Sequence, residues 1–358
     1  MNLKQILVEK RCIMVCGGGG VGKTTLSASL AVAGAHLRSR VLVLTIDPAK
    51  RLLQAFGFTD ALLQEGGEPL RLSDEVKAEL GLPASADLSV AILNPRYVLE
   101  QVMGQALPPD KGKILRSTLL YREMSQMIHG LQEYTAYEWV TRMLTENRYD
   151  LIVLDTPPAF HAKEFFNAPD KIRNLMESRV FQIFMPKKTG LFQSMLSLGW
   201  VEKLLGAPLF RESRLFFETF SSLRDRIVDR CSKLAVFFRD QSVGVVAVGT
   251  TESTPLLELE GISAFLKGKG IALQGIVLNQ IEEAGAAPAW SPDAEGISPD
   301  LAGKLSRLRE HQDAKAARCG LALERVKRIY QGVPVIPVPM VYAQSGFEIL
   351  RENASRLA

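Results

Sequence analysis

The stretch Cys12-Ile13-Met14-Val15-Cys16-Gly17-Gly18-Gly19-Gly20-Val21-Gly22-Lys23-Thr24-Thr25 decides the fold. Its apolar start predicts a buried strand, and the residues from Thr24 to Ala31 predict a helix. The glycines between them match the pattern G-x-x-x-x-G-K-[ST] in the strand–loop–helix setting that pattern requires. Backbone N–H groups of Gly18, Gly19, Gly20, Val21 and Gly22 can wrap a chain of phosphates, and the helix start after them adds further donors and a positive dipole end. Lys23 can bridge the β- and γ-phosphates, Thr24 can hold magnesium, and Thr25 continues the helix start. A Gly-rich turn at a strand end is the structural alternative, and the Gly-Lys-Thr-Thr helix start argues against it. The motif points to a nucleoside triphosphatase.

Outward from this loop, the chain reads as an α/β protein with a doubly wound, mostly parallel sheet. Apolar strand candidates recur near residues 11–16, 40–46, 88–93, 150–155, 243–250, 272–278 and 334–338, most of them separated by segments of helical period. In such sheets ligands bind beyond the carboxyl ends of the strands, so the residues just after each strand are the candidates for chemistry. After the second strand comes Asp47-Pro48-Ala49-Lys50-Arg51. Asp47 can orient or deprotonate an attacking water, with the Lys-Arg pair neutralising phosphate charge; the Asp-Pro order equally suits a helix cap. The fourth strand ends in Asp155, the acid that would hold magnesium, and runs into the stiff turn Thr156-Pro157-Pro158, a candidate switch. Asn279, at the end of the sixth strand, carries an amide able to pair with an adenine edge. The loop from Val338 through Pro339 to Tyr342 is placed to cover the other side of the base.

With 358 residues the chain can bury a large core, and a net charge of +4 with interspersed signs gives no nucleic-acid footprint. The first ten residues lack a signal-peptide core, and no apolar run reaches the length of a membrane span, so a cytoplasmic protein is expected. The four cysteines include no Cys-x-x-Cys, and Cys12 and Cys16 fall inside the first strand. Buried packing is the expected role for them.

Taken together, Gly19-Gly20-Val21-Gly22-Lys23-Thr24-Thr25, Thr45-Ile46-Asp47-Pro48-Ala49 and Asp155-Thr156-Pro157-Pro158 with His161 beyond resemble the ArsA-type ATPases. That family includes the arsenite-pump ATPase subunit and the Get-pathway ATPase that targets tail-anchored membrane proteins. Asp47-Pro48-Ala49-Lys50-Arg51-Leu52 and Gln132-Glu133-Tyr134 are similar to a bacterial subgroup often encoded as paired paralogues. The resemblance covers most of the chain. It implies ATP and ADP as ligands, magnesium as cofactor, Asp47 as water-activating base near the metal, Asp155 as the magnesium-side acid and Asn279 as the adenine reader. It also implies a dimer, of this chain with itself or with a paralogous subunit.

Three departures stand out. Gly18 replaces the family's signature lysine, which reaches the partner subunit's nucleotide. The zinc-clamping Cys-x-x-Cys of the eukaryotic targeting ATPases is absent. Cys231 and Cys319 are isolated, so the clustered thiols that bind arsenite are not evident.

Residues 160–240 form an expected helical insertion within a single domain spanning 1–358. They are dense in large apolar side chains, among them Phe165, Phe166, Met176, Phe192, Trp200, Phe216, Phe217 and Phe220. These residues serve either as a subdomain core or as a surface for hydrophobic clients, and the basic residues among them allow docking to a membrane. Residues 281–300 read as a mobile surface loop. The expected function is a magnesium-dependent, ATP-hydrolysing switch acting on a protein or membrane partner. The alternatives are a slowly hydrolysing chaperone or targeting factor, an anion or metalloid pump subunit, and a P-loop kinase or ligase acting on a small molecule.

Overall fold

The computed structural model describes residues 2–47, 51–58, 68–118, 121, 131–157, 159–178, 203, 206–283, 298–343 and 345–357. Pro48, Ala49, Lys50, Pro158, the apolar run from Phe181 to Trp200 and most of the 281–300 segment lie outside the described residues, as do the side chains of Gln132 and His161. The chain divides into two compact units. One comprises residues 1–92, 147–163 and 241–358, and the other residues 93–146 and 164–240.

The first unit is built on an eight-stranded sheet of order β3-β4-β2-β5-β1-β6-β7-β8. Its strands are β1 (Cys12–Gly17), β2 (Arg40–Thr45), β3 (Leu70–Arg71), β4 (Asp87–Ile92), β5 (Leu151–Asp155), β6 (Val243–Gly249), β7 (Leu273–Ile281) and β8 (Val335–Pro339). Every neighbouring pair is parallel except β3 with β4. The central strands are continuous Val, Leu, Ile and Cys runs because a parallel sheet is covered on both faces. All seven expected strands are present. The eighth, β3, is a two-residue antiparallel edge.

The helices of this unit are α1 (Leu3–Glu9), α2 (Lys23–Ala35), α3 (Arg51–Ala55), α4 (Asp74–Glu79), α10 (Ser253–Gly268), α11 (Pro299–Ile329) and α12 (Gly346–Leu357). Helix α2 is buried from Leu26 to Ala35 and carries only Leu, Val, Ala, Ser and Gly there. Small residues let it approach the sheet closely: a Cβ on Gly34 would lie 2.6 Å from the Leu151 side chain. Phe56, Leu350, Ala354 and Leu357 belong to the same apolar core as α2.

The second unit is helical: α5 (Pro95–Ala106), α6 (Pro109–Ser117), α7 (Leu131–Thr145), most of α8 (Ala159–Glu177) and α9 (Ala207–Phe237). It draws on residues 93–146 as well as on the 160–240 insertion. Its core is an aromatic cluster in which the Tyr137 ring lies 4.4 Å from Phe165 and 4.7 Å from Phe238, with Phe166 5.2 Å from Phe238. The Tyr137 hydroxyl donates to the Phe165 carbonyl at 3.1 Å, which satisfies the one polar atom such a ring brings inside. Phe165, Phe166, Met176, Phe216, Phe217 and Phe220 are all buried, so these members of the apolar insertion form a core rather than an open surface. Among the described residues no helix is long and apolar enough to cross a membrane.

Candidate functional site

The parallel register gathers the candidate residues at the carboxyl edge of the sheet in the first unit. β1 lies between β5 and β6, and β2 lies beside β5. Val15 and Thr45 are both level with Asp155 across the sheet, so the loop after β1 and the segment after β2 flank the same carboxylate.

The loop itself has the backbone that phosphate binding needs. Gly20 and Gly22 take φ of +77° and +81°, the left-handed region that favours glycine. A Cβ on Gly22 would lie 2.3 Å from the Asn279 amide nitrogen, so both conformation and space demand glycine there. Gly22 caps α2 with no side-chain hydrogen bond, which leaves the first helical N–H groups aimed into the loop. Gly19 and Gly20 have open space where a Cβ would stand. These features fit a bound polyphosphate.

Asp155 is the hub of the site. It is almost completely buried, and its Oδ2 accepts from the Thr24 hydroxyl at 2.8 Å and the Thr45 hydroxyl at 3.0 Å. Its Oδ1 accepts from the Ser27 hydroxyl at 3.2 Å and faces the Lys23 ammonium at 3.7 Å. Removing such a carboxylate from water is costly, and four oriented donors offset that cost. The Thr24 hydroxyl and the Asp155 carboxylate are hard oxygen ligands side by side, the donor type magnesium takes, so the residues present fit the metal. Thr156 ties the next segment back to β1, its hydroxyl donating to the Val15 carbonyl at 2.8 Å.

The other sequence-predicted residues hold definite places. The Asp47 backbone N–H donates to the Thr45 hydroxyl at 3.2 Å, one bond away from Asp155. Thr25, on the first turn of α2, accepts through its carbonyl from the Ser29 hydroxyl at 2.9 Å. The Asn279 amide nitrogen donates to the Val21 carbonyl at 2.9 Å, bracing the glycine loop. Pro339 ends β8 in register with Ile281 of β7, and Met340 N–H donates to the Ile281 carbonyl at 2.9 Å.

Four residues of the site are ones the sequence reading gave no role. Ser27 and Thr45 complete the Asp155 network; Ser27 lies one turn beyond Lys23, a spacing that marks it in hindsight. Gln280 sits beside Asn279 with φ +58°, an uncommon conformation for a residue with a side chain and one that clusters at functional sites. Glu258 of α10 brings its Oε2 within 2.1 Å of where a Cβ on Gly18 would be.

The cysteines play no visible part. All four are buried free thiols. Burial pushes Cys12 up to about 12 and Cys16 up to about 11, the latter despite the Thr156 hydrogen bond and the Lys23 charge. Thiols held protonated in this way are poor nucleophiles and metal ligands.

Comparison with known proteins agrees with this geometry. Residues 10–288 match the model of the anion-transporting ATPase (ArsA) family. An ATPase get3 of Botryotinia fuckeliana is 28% identical over 286 residues, covering 78% of this chain and 75% of its own length. An ATPase get3 of Aspergillus niger is 25% identical over 348 residues, covering 95% and 88%. The family match contains the glycine loop, Asp47, Asp155 and Asn279, and the chain belongs to the anion-transporting ATPase family of the ArsA type.

Proposed function

We propose that this ATPase is a magnesium-dependent switch in which hydrolysis resets the segments after β2 and β5, and that this reset acts on a protein or membrane partner, with the chain working as a dimer with itself or a paralogous subunit. The observation that carries the proposal is the single carboxylate of Asp155 bonded to both Thr24 of the phosphate-binding helix and Thr45 at the end of β2. A change in what Thr24 and Asp155 hold is thereby transmitted to Asp47, whose N–H rests on Thr45. The resemblance to targeting ATPases supports a partner of that kind.

In this mechanism the N–H groups of Gly18 to Thr24 and the Lys23 ammonium hold the phosphates and stabilise the charge that shifts as the γ-phosphoryl leaves. Thr24 and Asp155 hold magnesium, which when bound neutralises charge on the phosphate oxygens. Asp47 orients the attacking water and takes its proton. Asn279 accepts from the adenine amino group through Oδ1 while its amide nitrogen holds the loop, and Pro339 lines the base.

Asp47→Asn is expected to lower turnover by about 10²-fold, the usual worth of a positioned base, while nucleotide affinity stays within about threefold. Phosphate release and nucleotide titration on the same preparation separate the two; equal losses would reassign Asp47 to a structural role. The switch itself is tested by amide exchange and solution mass with ADP and with a non-hydrolysable ATP analogue. Distinct protection of residues 45–47 and 155–157 in the two states is expected. Identical protection and mass in both would overturn the proposal.

A further inference from the structure

Strand β7 carries one residue more than β8 where it meets the glycine loop. Leu278 pairs with Pro337 and Ile281 with Pro339, so Asn279 and Gln280 together stand opposite the single residue Val338. Gln280 takes its φ of +58° in this bulge. Along a regular strand, adjacent side chains point to opposite faces. Here they do not. A Cβ on Gly22 would lie 2.3 Å from the Asn279 amide nitrogen and 4.0 Å from the Gln280 amide nitrogen, so the bulge aims both amides at the start of α2. A glycine would take this backbone without penalty, and the amide is what a glycine would lack.

The two amides are not equivalent. Asn279 is buried, and its nitrogen is tied to the Val21 carbonyl. Gln280 is half-buried, and among the described residues no hydrogen bond holds its side chain. Its amide is therefore available on the side where the glycine loop and Asn279 meet. A purine presents a matching atom there: adenine carries the acceptor N7 beside its amino group, a pair that amide side chains recognise by donating to the first and accepting from the second. An amide already braced against the loop has one donor fewer for that task, and the neighbouring amide can supply it.

We infer that Gln280 is a second base-reading residue, its amide N–H donating to the ring nitrogen N7 of the adenine while Asn279 faces the adjacent amino group. The inference rests on the nucleotide site proposed above and adds to it one residue and one base atom. It also accounts for the bulge, which carries this amide to the loop side of the sheet edge.

Competition binding to the full chain with magnesium, comparing ATP with 7-deaza-ATP, tests the assignment, because the analogue replaces N7 by a C–H group and keeps the amino group. The unaltered protein is expected to bind ATP about three- to tenfold tighter than the analogue, the worth of one hydrogen bond between neutral groups. Gln280→Met keeps the length of the side chain and removes the amide. Gln280→Gly removes the amide and suits the backbone, so it serves where the methionine form fails to fold. Each variant is expected to lose the preference for ATP, binding it more weakly while its affinity for 7-deaza-ATP is unchanged. A purely structural role would weaken both nucleotides alike and leave their ratio as it was. A folded variant that keeps the preference, or an unaltered protein that has none, overturns the inference while ATP binding itself stands. Failure of ATP to bind overturns the nucleotide site and this inference with it.

Discussion

Lys23→Met is expected to lower ATP turnover by about 10²–10³-fold, the loss seen when one preorganised charge-stabilising donor is removed from a reacting group. Lys23 opens α2, is buried, and points its ammonium at the hub carboxylate 3.7 Å away. Methionine keeps the aliphatic stem and removes only the charge. Asp155 retains Thr24, Ser27 and Thr45 as donors, so the loop keeps its shape and the melting temperature falls less than for removal of the carboxylate itself. Steady-state phosphate release, measured beside thermal unfolding, checks both halves. Turnover within threefold of the unaltered protein would remove Lys23 from the chemistry.

Asp155→Ala carries the other large effect, and here stability falls together with activity. The substitution strands the Lys23 ammonium and leaves the Thr24 and Thr45 hydroxyls without their acceptor, while Ser27 keeps the Lys23 carbonyl. Breaking a buried pair from one side costs about 3–5 kcal/mol. Asp155→Asn keeps the shape, and because hydroxyls can rotate to donate or accept, its cost is about 1 kcal/mol. Both variants are expected to lose magnesium-dependent turnover. Denaturant unfolding and turnover across a magnesium series separate the two contributions, and an Asp155→Asn protein that keeps its magnesium response would show that the carboxylate serves structure alone.

Much of the sheet was legible because a parallel strand buried on both faces must be a continuous apolar run, as Val41 to Leu44 and Leu151 to Leu154 are. Strand β3 was not, since Leu70-Arg71 is too short to show any period. The helical unit was half legible. Its Phe-rich second part stands out, whereas α5, α6 and α7 read like ordinary crossover helices and are assigned to the unit only by their contacts. In the site, Lys23, Thr24 and Asp155 were readable because their chemistry fixes their spacing from the glycines and from the strand end. Ser27 and Thr45 were not, because a hydroxyl on a helix or strand has many uses and only the fold shows that both converge on one carboxylate. The brace from Asn279 to Val21 joins segments far apart in the chain, and no local pattern encodes it.

The carboxylate of Glu258 stands where a side chain at position 18 would begin. The glycine and the glutamate are therefore one feature rather than two. Any larger residue at position 18 must first displace Glu258, which its flexible stem permits, and a lysine introduced there would meet an anion of its own chain before it met anything across an interface. The pair sets this P-loop apart electrostatically, placing a carboxylate against the backbone of position 18, at the root of where the family's lysine would extend.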